Sequence, residues 1–315
     1  MAQQLSVLGI DLAKLVFPIV GMDDTGHVVL RKRLARGELL PFIAQLPPLR
    51  IGMEACGSAH DWARRFREHG HEVRLIAPQF VKASVKSPKN DARDAEAICE
   101  AVTRPTMRFV PIKQLEQQDL QALHRVRERL IKARTALVNE IRGLLSEYGM
   151  VLPQGITKFR PLVVSKDKQT KLTALSTEVF WHLYDEFLSL EKRLAYDDEK
   201  LAAVGQAHPA CQRLQTLPGI GPISATAILA AVPDAAHFKN GRQFAAWLGL
   251  GPREHSTGGK PRLLGISKRG DGYLRKLFVH GARATLRWVD AKQDDRRRWL
   301  KALIARRGKN RAAVA

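Results

Sequence analysis

Four acids in the first hundred residues have the types and spacing of a metal-dependent site. Asp11 ends the apolar run SVLGI, Glu54 ends Arg50-Ile51-Gly52-Met53-Glu54, and Asp91 and Asp94 stand three apart in Lys89-Asn90-Asp91-Ala92-Arg93-Asp94. Residues i and i+3 share a helix face, and the ends of a first and a fourth strand can be neighbours in a mixed sheet, so the four carboxylates can converge. Such a cluster is costly unless divalent cations neutralise it, and oxygen-only ligands suit Mg²⁺ or Mn²⁺. Two such ions about 4 Å apart activate a nucleophile and stabilise the leaving oxygen in phosphoryl transfer. Each acid also has a bland reading: helix N-cap and acidic first turn for Asp91 and Asp94, an ion pair for Glu54, a turn cap for Asp11. Their joint order points to chemistry at a phosphodiester.

A second candidate lies near the other end. Gly249-Leu250-Gly251-Pro252-Arg253-Glu254-His255-Ser256-Thr257-Gly258-Gly259-Lys260 places two hydroxyls between basic residues in a glycine-rich link, and Lys268, Arg269 and Arg275 follow. A serine hydroxyl attacks phosphorus when a base or metal takes its proton and cations hold the phosphate. On spacing alone the segment is equally a turn. Upstream, Leu217-Pro218-Gly219-Ile220-Gly221-Pro222 leading into Ser224–Ile228 has the form of a helix-hairpin-helix, with Gly219 and Gly221 allowing the tight turn and the next helix offering amides to a phosphate. The bland reading there is a Pro-Gly helix break with a small-residue packing surface.

These residues need a scaffold. Strands at Leu5–Ile10, Val16–Val20 and Val28–Leu30, with the turn signal Asp23-Asp24-Thr25-Gly26, read as a meander. A helix near Gly37–Leu46, a strand at Arg50–Glu54, a helix at Ala59–His69, a strand at Glu72–Ile76 and helices through Val102 follow, which makes residues 1–110 an α/β domain with a mixed sheet. Residues 115–148 carry a long helical stripe (Leu120, Leu123, Leu130, Leu137, Ile141, Leu144), and 174–204 repeat it with Leu183, Phe187, Leu190, Leu194 and Leu201. Region 111–207 is therefore helical, and it either pairs as a coiled coil, dimerises, or packs as a plain hairpin on its own domain. Residues 208–315 read as an all-α domain, with helices near 223–232, 240–248 and 271–289, a linking loop at Gly249–Gly272, and a basic run from Arg296 to Arg311 expected to be partly disordered.

Charge narrows the partners. The 315 residues carry 52 Lys+Arg against 31 Asp+Glu, a formal net charge of +21, and residues 241–315 hold 19 basic and 5 acidic side chains. An excess concentrated at one end suits a phosphate backbone better than a small metabolite, whereas a solvated face is the alternative. No apolar stretch approaches a membrane span and the start lacks a leader pattern, which argues against a secreted or membrane-spanning product. Cys56, Cys99 and Cys211 have no paired spacing and read as buried thiols in a reducing cytoplasm.

With the acidic tetrad, the LPGIG turn and the STGGK…LLGISKRGD segment in view, the chain resembles the DEDD transposases of bacterial insertion sequences, of the insertion-sequence-110 family, subgroup 1111. The resemblance implies a RuvC-like (RNase H-like) N-terminal domain, a coiled-coil middle and a C-terminal transposase domain. It implies that Asp11, Glu54, Asp91 and Asp94 bind Mg²⁺ and that a C-terminal serine forms a covalent phosphoserine link to DNA. Ser256 is that serine by its less hindered primary hydroxyl, with Thr257 as the alternative. It further implies donor and target DNA, a structured guide RNA from the element's own non-coding end, a homo-oligomer (dimer or tetramer), no membrane, and a place in the bacterial cytosol and nucleoid. In that reading Gly219, Gly221, Lys260, Lys268, Arg269 and Arg275 meet nucleic acid. A water-using, resolvase-like nuclease and a non-catalytic nucleic-acid-binding protein are the competing functions.

Overall fold

The computed structural model describes residues 5–82, 91–156, 159, 172–291 and 294–315, and the chain forms two compact units, Met1–Leu115 and Glu116–Ala315. In the first, strands β1 (Val7–Ile10), β2 (Val16–Met22), β3 (Val28–Ala35), β4 (Arg50–Glu54), β5 (Glu72–Ile76) and β6 (Phe109–Val110) make one sheet in the order β3-β2-β1-β4-β5-β6. β1, β2 and β3 pair antiparallel, β1-β4 and β4-β5 parallel, and β6 closes the edge antiparallel to β5. The mixed sheet expected from the pattern is therefore present. β6, too short to show a period, escaped the sequence reading.

Alternation along the strands gives the sheet two different faces. Leu8, Ile10, Ile51 and Met53 pack beneath helices α1 (Arg36–Ala44) and α2 (Ala59–Glu68), with Leu39, Ile43, Trp62 and Phe66 completing that core. Val7 and Val20 point the other way, into a core with Ala95, Ile98, Cys99 and Val102 of a later helix, Asp91–Thr103. A five-residue helix, α3 (Pro78–Lys82), precedes it, so the later helix is α4.

α4 lies unusually close to the strands because two glycines face it. Gly9 and Gly52 are register partners on β1 and β4. A Cβ on Gly9 would stand 2.3 Å from the Ala95 carbonyl, and one on Gly52 2.9 Å from the Ile98 side chain. The Cys99 thiol adds a hydrogen bond to the Val20 carbonyl at 3.1 Å, and burial pushes its pKa up to about 12.

In the second unit α5 (Leu115–Glu147) and α6 (Ala174–Ala207) share one core, in which Leu130, Leu137, Ile141 and Leu145 meet Phe180, Phe187, Leu190 and Leu194. Arg127 pairs with Asp198 and Arg134 with Glu191, so the helices run antiparallel within one chain. Then come α7 (Pro209–Gln215), α8 (Pro222–Ala231), a 3-10 turn (Ala235–His237) and α9 (Gly241–Trp247). A two-stranded antiparallel hairpin, β7 (Pro252–Glu254) and β8 (Leu263–Ile266), precedes α10 (Gly272–Leu286), α11 (Asp295–Arg307) and α12 (Lys309–Ala312).

Two expectations are corrected here. The C-terminal part is not all-α, because the glycine-rich link folds as a hairpin whose strands are too short to leave a period in the sequence. The basic run at 296–311 is helical: Asp294 caps α11 by accepting from the Arg297 amide at 2.8 Å, and Leu303 is buried. Among the described residues no helix is long and apolar enough to cross a membrane.

Two histidines, His124 buried and His60 half-buried, are neutral in the fold. His124 sits between the Thr226 hydroxyl (3.1 Å) and the Tyr273 hydroxyl (3.0 Å), and burial first, then the nearby Arg127 charge, lowers its pKa to about 4. His60 accepts from the Lys113 amide at 3.2 Å and is likewise lowered to about 4, by burial and then by the charges of Lys113 and Arg64.

Gly9→Ala should cost about 1–3 kcal/mol through overpacking, read as a lower urea midpoint, while Gly37→Ala, where nothing stands within 4 Å, should leave the midpoint unchanged or raise it. Equal midpoints for the two variants would refute the close-packing account. Below the ordinary histidine pKa of 6.5 the unfolded chain takes up protons that folded His60 and His124 refuse until about pH 4. Stability should therefore fall as pH drops through that window, and His124→Gln should flatten the dependence measured by thermal unfolding.

Candidate active site

The ends of β1 and β4 bring two of the expected acids side by side. Ile10 and Met53 are register partners on parallel strands, Glu54 closes β4, and Asp11 continues the β1 ladder by donating its amide to the Pro18 carbonyl at 3.1 Å. With a period of two, Asp11 and Glu54 fall on the same face as Gly9 and Gly52, the face that α4 covers. They stand at the C-terminal ends of parallel strands, the usual location of ligands on such sheets.

The two carboxylates act on one place. The half-buried Cys56 thiol, two residues past Glu54, is pushed up by burial first and then by the charges of Glu54 and Asp11. This environment differs from the inert buried thiol expected at Cys56; Cys99 and Cys211 are buried as expected.

The remaining acids sit on α4. Asp91 is its first residue, and Asp94 is half-buried immediately before Ala95, whose carbonyl lies against Gly9. The Asp91 side chain, and Lys89 and Asn90 before it, lie outside the described residues. Among the described residues no three His, Cys, Asp or Glu gather closely enough to hold an ion. Asp11 and Glu54 nevertheless present the hard oxygen donors that Mg²⁺ or Mn²⁺ prefers.

The serine segment is built like a display. Thr257-Gly258-Gly259-Lys260 is a tight turn closed by the Lys260 amide on the Thr257 carbonyl at 3.1 Å, with Gly258 and Gly259 at φ +56° and +74°. Two successive positive φ values match the twist of a β-hairpin and exclude most other residues. Ser256, exposed beside this turn, donates its hydroxyl proton to the Glu254 carboxylate while its oxygen accepts from the Arg262 amide at 3.2 Å. Glu254 as a partner of the serine was missed in the sequence, although i and i+2 on a strand share a face. Thr257 and Lys260 are also exposed at the turn.

Backbone contacts hold the base of the hairpin. A Cβ on Gly249 would lie 1.8 Å from the Arg269 carbonyl, and one on Gly270 2.0 Å from the Trp247 carbonyl. Arg275, expected to meet phosphate, donates to the Leu248 carbonyl at 2.8 Å and braces this junction. Lys268 and Arg269 remain exposed. In the α7–α8 turn, Gly219 has φ +87° and would clash with the Gly281 carbonyl at 2.7 Å if it bore a side chain, so its conformation serves packing onto α10. Gly221, which caps α8, has open space around it.

Comparison with known proteins bears on both regions. Residues 8–150 match a family model described as a transposase of the DEDD IS110 type, and residues 211–298 match that of the transposase IS116/IS110/IS902 family. A protein described as "Probable family 20 transposase" from Pseudomonas aeruginosa is 53% identical over 314 residues, spanning 99% of this chain and 93% of its own length. The transposase for insertion sequence element IS1111A from Coxiella burnetii is 47% identical over 316 residues, 99% of this chain and 86% of its own. That for element IS1328 from Yersinia enterocolitica is 39% identical over 319 residues, 98% and 92% respectively. The chain belongs to the IS110/IS116 family of insertion-sequence transposases and is a DNA transposase.

Proposed function

We propose that this transposase cleaves and rejoins DNA through Ser256 with the help of divalent ions held by Asp11, Glu54, Asp91 and Asp94. The observation that carries the reading is the register that sets Asp11 beside Glu54 on the face covered by α4. The sheet order, with three antiparallel strands leading into a parallel pair, supports a RuvC-like identity for the first unit. When bound, Mg²⁺ or Mn²⁺ supplies Lewis-acid stabilisation of the charge that develops at phosphorus and on the leaving oxygen.

The chain's own residues do the rest. The Ser256 oxygen attacks phosphorus and displaces a sugar oxygen, leaving a phosphoserine ester that conserves the bond energy for rejoining. The Arg262 amide and the Glu254 carboxylate fix the hydroxyl so that its proton leaves toward Glu254. Lys260, Lys268 and Arg269, all exposed, attract the phosphate backbone, and Gly221 at the start of α8 leaves room for a phosphate in the helix-hairpin-helix reading. Donor and target DNA, a structured guide RNA, a homo-oligomer in which one subunit's acids serve another's serine, and a bacterial cytosolic location complete the proposal. The strong basic excess of residues 241–315 is in keeping with these partners.

Denaturing gels of the full chain with element-end DNA and Mg²⁺ test it. Wild type should give a covalent protein–DNA adduct, Ser256→Ala and Asp11→Asn none, and Thr257→Ala a retained one. Free 5′-phosphate ends from Ser256→Ala would instead favour the water-using nuclease, and an adduct surviving in Ser256→Ala but lost in Thr257→Ala would move the nucleophile to Thr257. Glu254→Gln should slow adduct formation roughly a hundredfold while leaving noncovalent DNA binding unchanged, a split that a purely structural glutamate would not give. Sequencing of RNA that co-purifies with the protein should return one discrete structured transcript; random cellular RNA would count against guidance.

A further inference from the structure

A cavity of about 440 Å³ in the second unit has no role in the chemistry above. One wall is apolar, made by Ala227, Ala230 and Ala231 of α8 with Leu274 of α10; the other is cationic, made by Arg125, Arg129 and Lys132 of α5. The three cations follow an i, i+4, i+7 spacing and so share one helix face. Among the described residues none of them has a carboxylate partner, whereas Arg127 and Arg134, which turn toward α6, are each paired. A helix that neutralises its inward arginines and leaves three cations bare around a cavity is arranged for an anion brought from outside. The volume lies in the range of about 300–1,000 Å³ typical of small-molecule sites.

The cavity is also held in shape. Thr226, His124 and Tyr273 form a hydrogen-bonded chain linking α8, α5 and α10, and His124 and Tyr273 of that chain line the cavity. Glu128 is engaged by Lys276, and Asp271 caps α10 through the Tyr273 and Leu274 amides at 2.8 and 3.0 Å. Lys276 therefore balances Glu128, while Asp271 keeps its charge among the lining residues, and three cations against that one acid leave the cavity with a net positive excess.

A planar apolar body beside one or two phosphates is what such a pair of walls fits. We infer that the cavity receives one unpaired nucleotide of a nucleic-acid strand, its base against the alanine floor and its phosphates on Arg125, Arg129 and Lys132. A base still stacked in a duplex cannot enter, so the site selects bulged or unpaired positions. This rests on the nucleic-acid reading above, and extends it to a site outside both the acidic cluster and the serine hairpin.

Fluorescence anisotropy of the full chain tests it with a perfect DNA duplex, the same duplex carrying one central bulged nucleotide, and the RNA counterparts of both. Wild type should bind a bulged probe about tenfold tighter than its perfect partner, and whichever of DNA or RNA shows the preference identifies the strand. Ala231→Leu, which fills the floor without touching charge, should erase that preference and leave duplex affinity unchanged. Arg125→Ala/Arg129→Ala/Lys132→Ala, all at exposed positions, should erase it too and make log K against log salt shallower by about 1.4 for two phosphates on a single strand. A 2-aminopurine at the bulge should brighten on binding wild type and stay quenched with Ala231→Leu. Equal binding of bulged and perfect probes by wild type, or a preference retained in both variants, would overturn the cavity's assignment while leaving the nucleic-acid reading intact. A wild-type chain that binds no probe at all would defeat that reading itself.

Discussion

Helix α4 touches the sheet through backbone, and the carboxylate end of the first unit depends on that approach. Where Gly9 and Gly52 lie side by side, any side chain would have to occupy space already filled by the Ala95 carbonyl or by Ile98 and Val102. Interiors at this density do not yield smoothly; a lodged methyl group moves the helix or strains it. α4 begins with Asp91 and carries Asp94, so moving it moves two acids relative to Asp11 and Glu54. Two residues with no side chain thus set where the acids of α4 lie relative to those at the strand ends.

The second unit uses the same device for a different end. Gly219 against Gly281, Gly249 against Arg269 and Gly270 against Trp247 are all backbone-to-backbone contacts; the first packs the α7–α8 turn on α10, and the other two seat an exposed hairpin on a helical frame. Arg275 ties the same junction through carbonyls. A hydroxyl carried on a mobile loop would have to be ordered before reacting. One carried next to a Gly-Gly turn, with its proton and its lone pair both engaged, is ordered beforehand.

Charge is distributed with the same economy. Arg127 and Arg134, which face α6, are matched to acids, because an unmatched buried cation is costly. Some surface cations are paired, as in Arg31–Glu96 and Lys301–Asp290, but 52 basic against 31 acidic side chains leave an excess of +21. For a DNA transposase that excess is a working property: it raises the local concentration of a polyanion and makes association depend on salt.

The linear order of residues was enough for the parts governed by local periodicity and composition. Short apolar β-rich runs and turn signals marked five of the six strands of the large sheet, and the long apolar stripes marked α5 and α6, because strand composition and helix period are local facts. It could not decide whether α5 and α6 pair within one chain, since the same stripe serves either partner; the ion pairs Arg127–Asp198 and Arg134–Glu191 are nonlocal. Nor could it separate a glycine that meets phosphate from one that meets another helix, as with Gly219, or an arginine that holds DNA from one that holds carbonyls, as with Arg275. The partnership of Ser256 with Glu254 needed the hairpin, and the hairpin needed two positive φ values that glycine permits but does not demand. The tertiary structure decided these because each depends on which surfaces meet, and contacts between residues far apart in the chain leave no period in the sequence.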